Sequence, residues 1–209
     1  RADERYGESA PEGKESIGAP FFLKHRGRWW CLYHSGMTLH AMVSENGRDY
    51  SRVLPYRTGN ALYQGGRDVM VHEENGLYYC YTCLTETPAG AQPRSWVMLR
   101  TTRDFARFSD YSRVQEGGQG GNGPVAAESP FVIKMDGYYY LFRASSIDLR
   151  TYVYRSESPY YFGCNDDRLL VARMNIKAPE LVQHEGQWYI TDLADWQGLR
   201  MARLAWPAV

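Results

Sequence analysis

The stretch Glu128-Ser129-Pro130-Phe131-Val132-Ile133-Lys134-Met135-Asp136-Gly137-Tyr138-Tyr139-Tyr140 holds the pattern of the whole chain: a short extended apolar run, a turn closing on a glycine, then paired aromatics. The pattern occurs four times. Pro20-Phe21-Phe22-Leu23 leads to Gly27 and Trp29-Trp30, and Val69-Met70-Val71-His72 leads to Gly76 and Tyr78-Tyr79. Pro179-Glu180-Leu181-Val182 leads to Gly186 and Trp188-Tyr189. The four glycines stand 49, 61 and 49 residues apart. A period of roughly 40–50 residues filled with short strands is that of a β-propeller blade. The sequence therefore predicts an all-β fold, a β-propeller with four blades near residues 18–66, 67–126, 127–176 and 177–209.

Within a repeat the strands follow from turn residues and alternation. Pro20 to Lys24, Trp29 to His34, Leu39 to Ser44 and a stretch near Tyr50 to Leu54 make the first set. Phe131 to Lys134, Tyr138 to Arg143, Thr151 to Ser156 and Leu169 to Arg173 make the third. The second repeat carries a Pro-, Gly- and Ala-rich insertion, Thr85 to Ser95, which reads as a loop. The fourth has three strands, Glu180 to Gln183, Gln187 to Thr191 and Leu199 to Leu204. Propellers commonly close by lending a strand from the other terminus, and in residues 1–17 only a short piece has that character.

A chain of 209 residues with zero net charge and a pI near 7.1 gives no sign of nucleic acid or an anionic membrane as partner. No apolar run approaches the roughly 20 residues that span a bilayer. No signal peptide stands at Arg1, and the compartment stays open, with secretion or the periplasm favoured over the cytoplasm. Aromatics make up 14% of the chain, with 17 Tyr and 6 Trp. They serve strand packing and also provide the flat faces on which sugars stack. Cys80 and Cys83 have CxxC spacing, but on a strand positions three apart face opposite ways, so the pair reads as two buried small hydrophobes. Gly117 to Gly123 precedes a strand rather than a helix, which makes it a flexible loop and not a phosphate cradle.

A propeller brings the start of every blade's inner strand to one axis. Aligned on their glycines, the repeats place Gly18-Ala19, Arg67-Asp68, Glu128-Ser129 and Lys177-Ala178 there. Two of these pairs hold a carboxylate, Asp68 and Glu128. Buried carboxylates are costly without a purpose, and two facing one pocket, one protonated and one ionised, are what glycosidic bond hydrolysis uses. Capping of both by Arg67, Lys177 or backbone amides is the structural alternative. Glu180, His34 and Trp196 are further candidates: a carboxylate on the last inner strand, a hydroxyl-binding imidazole and a loop-borne stacking face.

The series Gly18-Ala19-Pro20-Phe21-Phe22, Arg67-Asp68-Val69, Glu128 to Tyr140 and Lys177 to Tyr189 resembles the five-bladed propeller glycoside hydrolases of families 43 and 32, from about Ile17 onward. The resemblance implies a catalytic pair: Glu128 as general acid, and Asp68 as the carboxylate that supports the transition state or holds up the acid's pKa. Arg67 would hold sugar hydroxyls, with His34, Glu180 and Trp196 also on the substrate side. It implies an oligo- or polysaccharide substrate, an arabinosyl or fructosyl furanoside or a galactose-type unit, with no cofactor, a structural calcium ion being the one open possibility. No catalytic metal ligand is expected. Oligomeric state is left open. The superfamily's third carboxylate, in an Asp-Pro pair of the first blade, has no match: Asp3 and Asp49 sit in no such motif, and Val69 stands where proline follows Asp68. The resemblance puts that group on a blade upstream of Arg1, and without it a non-catalytic carbohydrate-binding propeller is the alternative. A propeller serving as a protein-interaction platform is a third reading.

Overall fold

The computed structural model describes residues 17–53 and 61–206. Asp3, Leu54 and all but Ile17 of the stretch 1–17 in which a closing strand was sought lie outside them. The chain divides into two compact units, Arg1–Leu84 with Met98–Ser112, and Thr85–Val97 with Arg113–Val209.

Four sheets follow one another along the chain as the blades of a β-propeller, each running up and down in sequence order. The first orders β1 (Ile17–His25), β2 (Arg28–Ser35) and β3 (Thr38–Ser44), with β4 (Ser51–Arg52) and β5 (Ala61–Gln64) both on β3. The second holds β6 (Arg67–Glu74), β7 (Leu77–Glu86), β8 (Arg94–Thr102) and β9 (Ser112–Gln115). The third holds β10 (Glu128–Met135), β11 (Tyr138–Ser145), β12 (Arg150–Ser156) and β13 (Leu170–Met174). The fourth has the three strands expected, β14 (Leu181–His184), β15 (Gln187–Asp192) and β16 (Arg200–Leu204). One difference from the sequence reading is the outer edge of the first blade. The short β4 covers Met42 and Val43, and β5 covers Thr38 to His40, so β3 is paired by two pieces rather than one strand.

Two conformational devices recur in every blade. The hairpin after each inner strand turns on Arg26-Gly27, Asn75-Gly76, Asp136-Gly137 or Glu185-Gly186, all with positive φ, from 49° to 82°. Two consecutive positive φ values make the type I′ turn whose twist matches a two-residue hairpin. The repeat glycine is therefore the second turn residue. The other device lies at the mouth of each inner strand, where Ala19, Asp68, Ser129 and Ala178 have φ of 44°, 56°, 44° and 50°. A left-handed non-glycine residue costs on the order of 1–2 kcal/mol. In the first three blades the strand register slips across these residues, between Gly18 and Phe21, Arg67 and Met70, and Glu128 and Phe131. Each of these three mouths is a β-bulge, a feature that re-aims side chains at functional sites.

Each unit has its own core. In the first, Trp30, Leu32, Leu39 and Val43 pack with Val69, Val71, Cys80 and Phe105. In the second, Tyr140, Phe142 and Val153 pack with Leu181 and Ile190. The paired aromatics after each turn are thus mainly packing residues. Cys80 and Cys83 are free thiols, fully buried as expected of small hydrophobes. The glycine-rich loop makes one 3-10 turn, Gly118–Gly120, and then leads into β10. The fully buried Arg143 holds this loop, its guanidinium donating to the Gln115 side chain and to the carbonyls of Gly117, Gly120, Gly121 and Ala126. A Cβ on Gly120 would stand 2.8 Å from that guanidinium, so glycine there lets Arg143 reach its acceptors.

Candidate active site at the strand mouths

In the first unit the bulge at the mouth of β6 turns Asp68 toward the end of β2. The Asp68 amide N–H donates to His34 Nδ1 at 3.1 Å, and His34 Nδ1 lies 3.6 Å from the Asp68 carboxylate. Because an amide N–H can only donate, Nδ1 is the acceptor and the ring proton sits on Nε2. The contact with the carboxylate is therefore not an ion pair while the ring is neutral. Burial first of all, then the Arg67 and His40 charges, depress the His34 pKa against the pull of Asp68, which agrees with a neutral ring. Arg67 lies beside Asp68, Nε to carboxylate 3.9 Å, and its Nη1 approaches Met37 Sδ. Gly18, opposite His34 in the sheet, makes room for the ring: a Cβ there would stand 2.8 Å from Cε1 and Nε2.

In the second unit Glu128 occupies the first position of its mouth, one residue before the left-handed Ser129. Lys177, at the same position of the next mouth, places Nζ 2.7 Å from Glu128 Oε2. The Ser146 hydroxyl donates to that same oxygen. The Lys177 side chain is 3% exposed and that of Glu128 17%. Trp196 flanks the lysine, its ring centre 5.9 Å from Nζ, and is itself 67% exposed. Its loop is strained, since Ala194, Asp195 and Trp196 all have positive φ, 48°, 53° and 67°. Three such residues in a row are costly for L-amino acids, and strain of this kind concentrates where a side chain must be presented.

Glu180 stands apart from this pair. Its amide and carbonyl are tied to Thr191, and among the described residues its carboxylate has no hydrogen-bond partner. The protein packed around the carboxyl pushes its pKa up to about 7, while water at the exposed edge of the side chain limits that effect.

The structure thus brings together His34, Arg67 and Asp68 in one unit, and Glu128 with Trp196, through Lys177, in the other. Ser146 and Gly18 were not among the sequence candidates, and Lys177 was expected only as a cap on a carboxylate, which is the contact it makes with Glu128. Lys177 was legible, because it aligns with Glu128 in the repeat. Ser146 follows the end of β11 and carries no repeat signal. Among the described residues no group of three His, Cys, Asp or Glu could hold a metal ion. A cavity of about 610 Å³ lies on the third blade between Tyr138, Arg155, Tyr161 and Arg168. None of the candidate residues lines it, and of its two carboxylates, Glu157 and Asp166, neither has a left-handed backbone and Asp166 is paired with Arg168. The strand mouths are the better candidate.

No protein-family model and no curated protein sequence matches this chain. Solved structures do. A thermostable family-43 glycoside hydrolase aligns with a TM-score of 0.71 over 91% of this chain and 72% of its own, at 14% identity. An α-L-arabinofuranosidase of family 43 from Clostridium thermocellum aligns at 0.65 over 97% and 75%, at 15% identity. The family-32 β-fructofuranosidase of Bombyx mori, solved with sucrose, aligns at 0.55 over 84% and 41%, at 15% identity. At these identities the likeness speaks for the fold. Four repeats, the left-handed residue at each strand mouth and these alignments together give the chain the β-propeller fold of the glycoside hydrolases of families 43 and 32.

Proposed function

We propose that this chain carries residues of a glycosidase acting on an oligo- or polysaccharide, with an arabinosyl, fructosyl or galactose-type unit at the point of cleavage. The observation that carries this reading is the pair of carboxylates on bulged mouths of a propeller with this fold, each held by basic and hydroxyl groups rather than left on a solvated edge. Glu128 protonates the leaving oxygen. Asp68, beside Arg67 and the neutral His34, supports the oxocarbenium-like transition state through sugar hydroxyls. Trp196 offers its exposed ring as a stacking face. The group that activates water, or attacks the anomeric carbon, is not among these candidate residues. The sucrose held by the Bombyx mori enzyme and the arabinofuranosidase function of the Clostridium thermocellum enzyme support a carbohydrate ligand.

One observation favours a second reading, a carbohydrate-binding propeller without turnover: the Lys177 ammonium on Glu128 favours the ionised carboxylate, the wrong form for an acid. Aryl arabinofuranosides, fructosides, xylosides and galactosides incubated with the natural protein separate the two. Release of the aryl group from at least one supports the glycosidase. Binding of the matching oligosaccharide by calorimetry with no release on any of them replaces it with the binder.

A further inference from the structure

Lys177 has no part in the glycosidase reading so far, yet its ammonium is in direct contact with the proposed acid. We propose that Lys177 holds Glu128 as a carboxylate in the ligand-free protein and thereby sets the pH at which the site takes up its catalytic proton. The catalytic meaning of this rests on the glycosidase reading; the charge state itself does not.

The geometry is that of a built pair. Nζ lies 2.7 Å from Oε2, and with 3% of the lysine side chain exposed neither salt nor water competes well for the contact. The Ser146 hydroxyl donates to the same oxygen, so two donors converge on one carboxylate atom. A proton on Oε2 would displace both. The lysine is fixed at its backbone too: its amide donates to Asp192 Oδ1 at 2.8 Å and its carbonyl accepts from the Leu193 amide at 3.2 Å, with the left-handed Ala178 next in the chain. The Trp196 ring borders the ammonium on a further side.

Two other carboxylates near these elements are engaged elsewhere, and a third is not. Asp192 is spent on the Lys177 amide, and Asp148, two residues beyond Ser146, accepts from the Tyr152 hydroxyl and lies 4.0 Å from Arg150. Glu180, three residues beyond Lys177, has no hydrogen-bond partner for its carboxylate among the described residues. An opposite charge this close lowers a carboxyl pKa by roughly 1–3 units. Lys177 therefore makes Glu128 a stronger acid but a scarcer one. When Glu128 gives its proton to the leaving oxygen it returns to the carboxylate that Lys177 stabilises, so the ion pair favours the transfer once the proton is in place. Lys177 is a positioning residue, acting through Glu128.

The test is a carbon-13 carboxyl titration of glutamate-labelled protein, with the Glu128 signal assigned by its loss in Glu128→Gln. Wild type is expected to titrate Glu128 below the ordinary glutamate value of about 4.3. Lys177→Met is expected to raise that midpoint by at least about one pH unit, and Lys177→Arg to keep it low. A wild-type midpoint at or above the ordinary value, or equal midpoints in wild type and Lys177→Met, overturns the proposal. Should Lys177→Met fail to fold, the wild-type midpoint alone decides. A shifted midpoint in a protein that hydrolyses no glycoside keeps this inference and ends the glycosidase reading; hydrolysis with an unmoved midpoint does the reverse.

Discussion

His34 shows how little of a site is visible in a residue's name. As a letter in the sequence it was a lone histidine on a strand; in the molecule Gly18 opens the space for its ring and the Asp68 amide fixes its tautomer. Its pKa is lowered, as is that of His25, where burial and Arg26 act. A histidine that stays neutral when folded binds fewer protons than in the unfolded chain at pH values below its ordinary pKa of about 6.5. Stability should therefore rise with pH through that window, and His34→Gln should flatten the rise, as urea midpoints at pH 5 and 7.5 would reveal. Glu180 has the opposite sign. With its carboxyl raised to about 7, the folded protein binds more protons than the unfolded chain above the ordinary glutamate value of about 4.3, so this group costs stability as pH climbs toward 7. Glu180→Gln should gain on wild type steadily between pH 4.5 and 7.5, and equal midpoints across that range would show that the carboxyl is not perturbed. Trp196→Ala removes the exposed ring and should weaken oligosaccharide binding by roughly tenfold, the size of an aromatic contact of about 1–1.5 kcal/mol.

Hairpin turns and strand mouths were legible at different depths. Each repeat glycine announced its turn, and all four are type I′. The residue before it is also left-handed, and there Arg26 and Glu185 fit less well than Asn75 and Asp136, because asparagine and aspartate tolerate positive φ. Glu185→Asn should raise the thermal midpoint, by the equivalent of roughly 0.5–1 kcal/mol. The substitution also removes an exposed pairing with His184, 3.8 Å away, but surface pairs of this kind are worth little. A lowered midpoint would show that the turn does not carry that strain. Alignment on the glycines also located the mouths, and with them Asp68 and Glu128. It did not disclose the bulges, since alanine, aspartate and serine announce no positive φ. The outer edge of the first blade was legible in part: β4 lies within the stretch near Tyr50 to Leu54, whereas β5, a second short piece on the same partner, left no such signal. Ser146 escaped because its position, just past the end of β11, leaves no periodic trace.

For the molecule as a whole, the fourfold repeat decided the fold class, and the likeness to family-43 structures agrees with it despite 14% to 15% identity for the two described. Fold was legible because a blade writes its turn glycines and packing aromatics at fixed spacing, and packing tolerates substitution so long as that spacing holds. Of the candidate site the carboxylates were legible but their charge state was not, because it depends on neighbours such as Lys177 that the sequence separates by dozens of residues. In the proposed function Glu128 is the group that protonates the leaving oxygen. Its most direct test is the rate of aryl glycoside hydrolysis by the natural protein and by Glu128→Gln, on the substrate the wild type cleaves best. Loss of a positioned acid should lower kcat/KM by roughly 10²–10⁴-fold with the fold unchanged by circular dichroism. An undiminished rate in Glu128→Gln would contradict the central assignment.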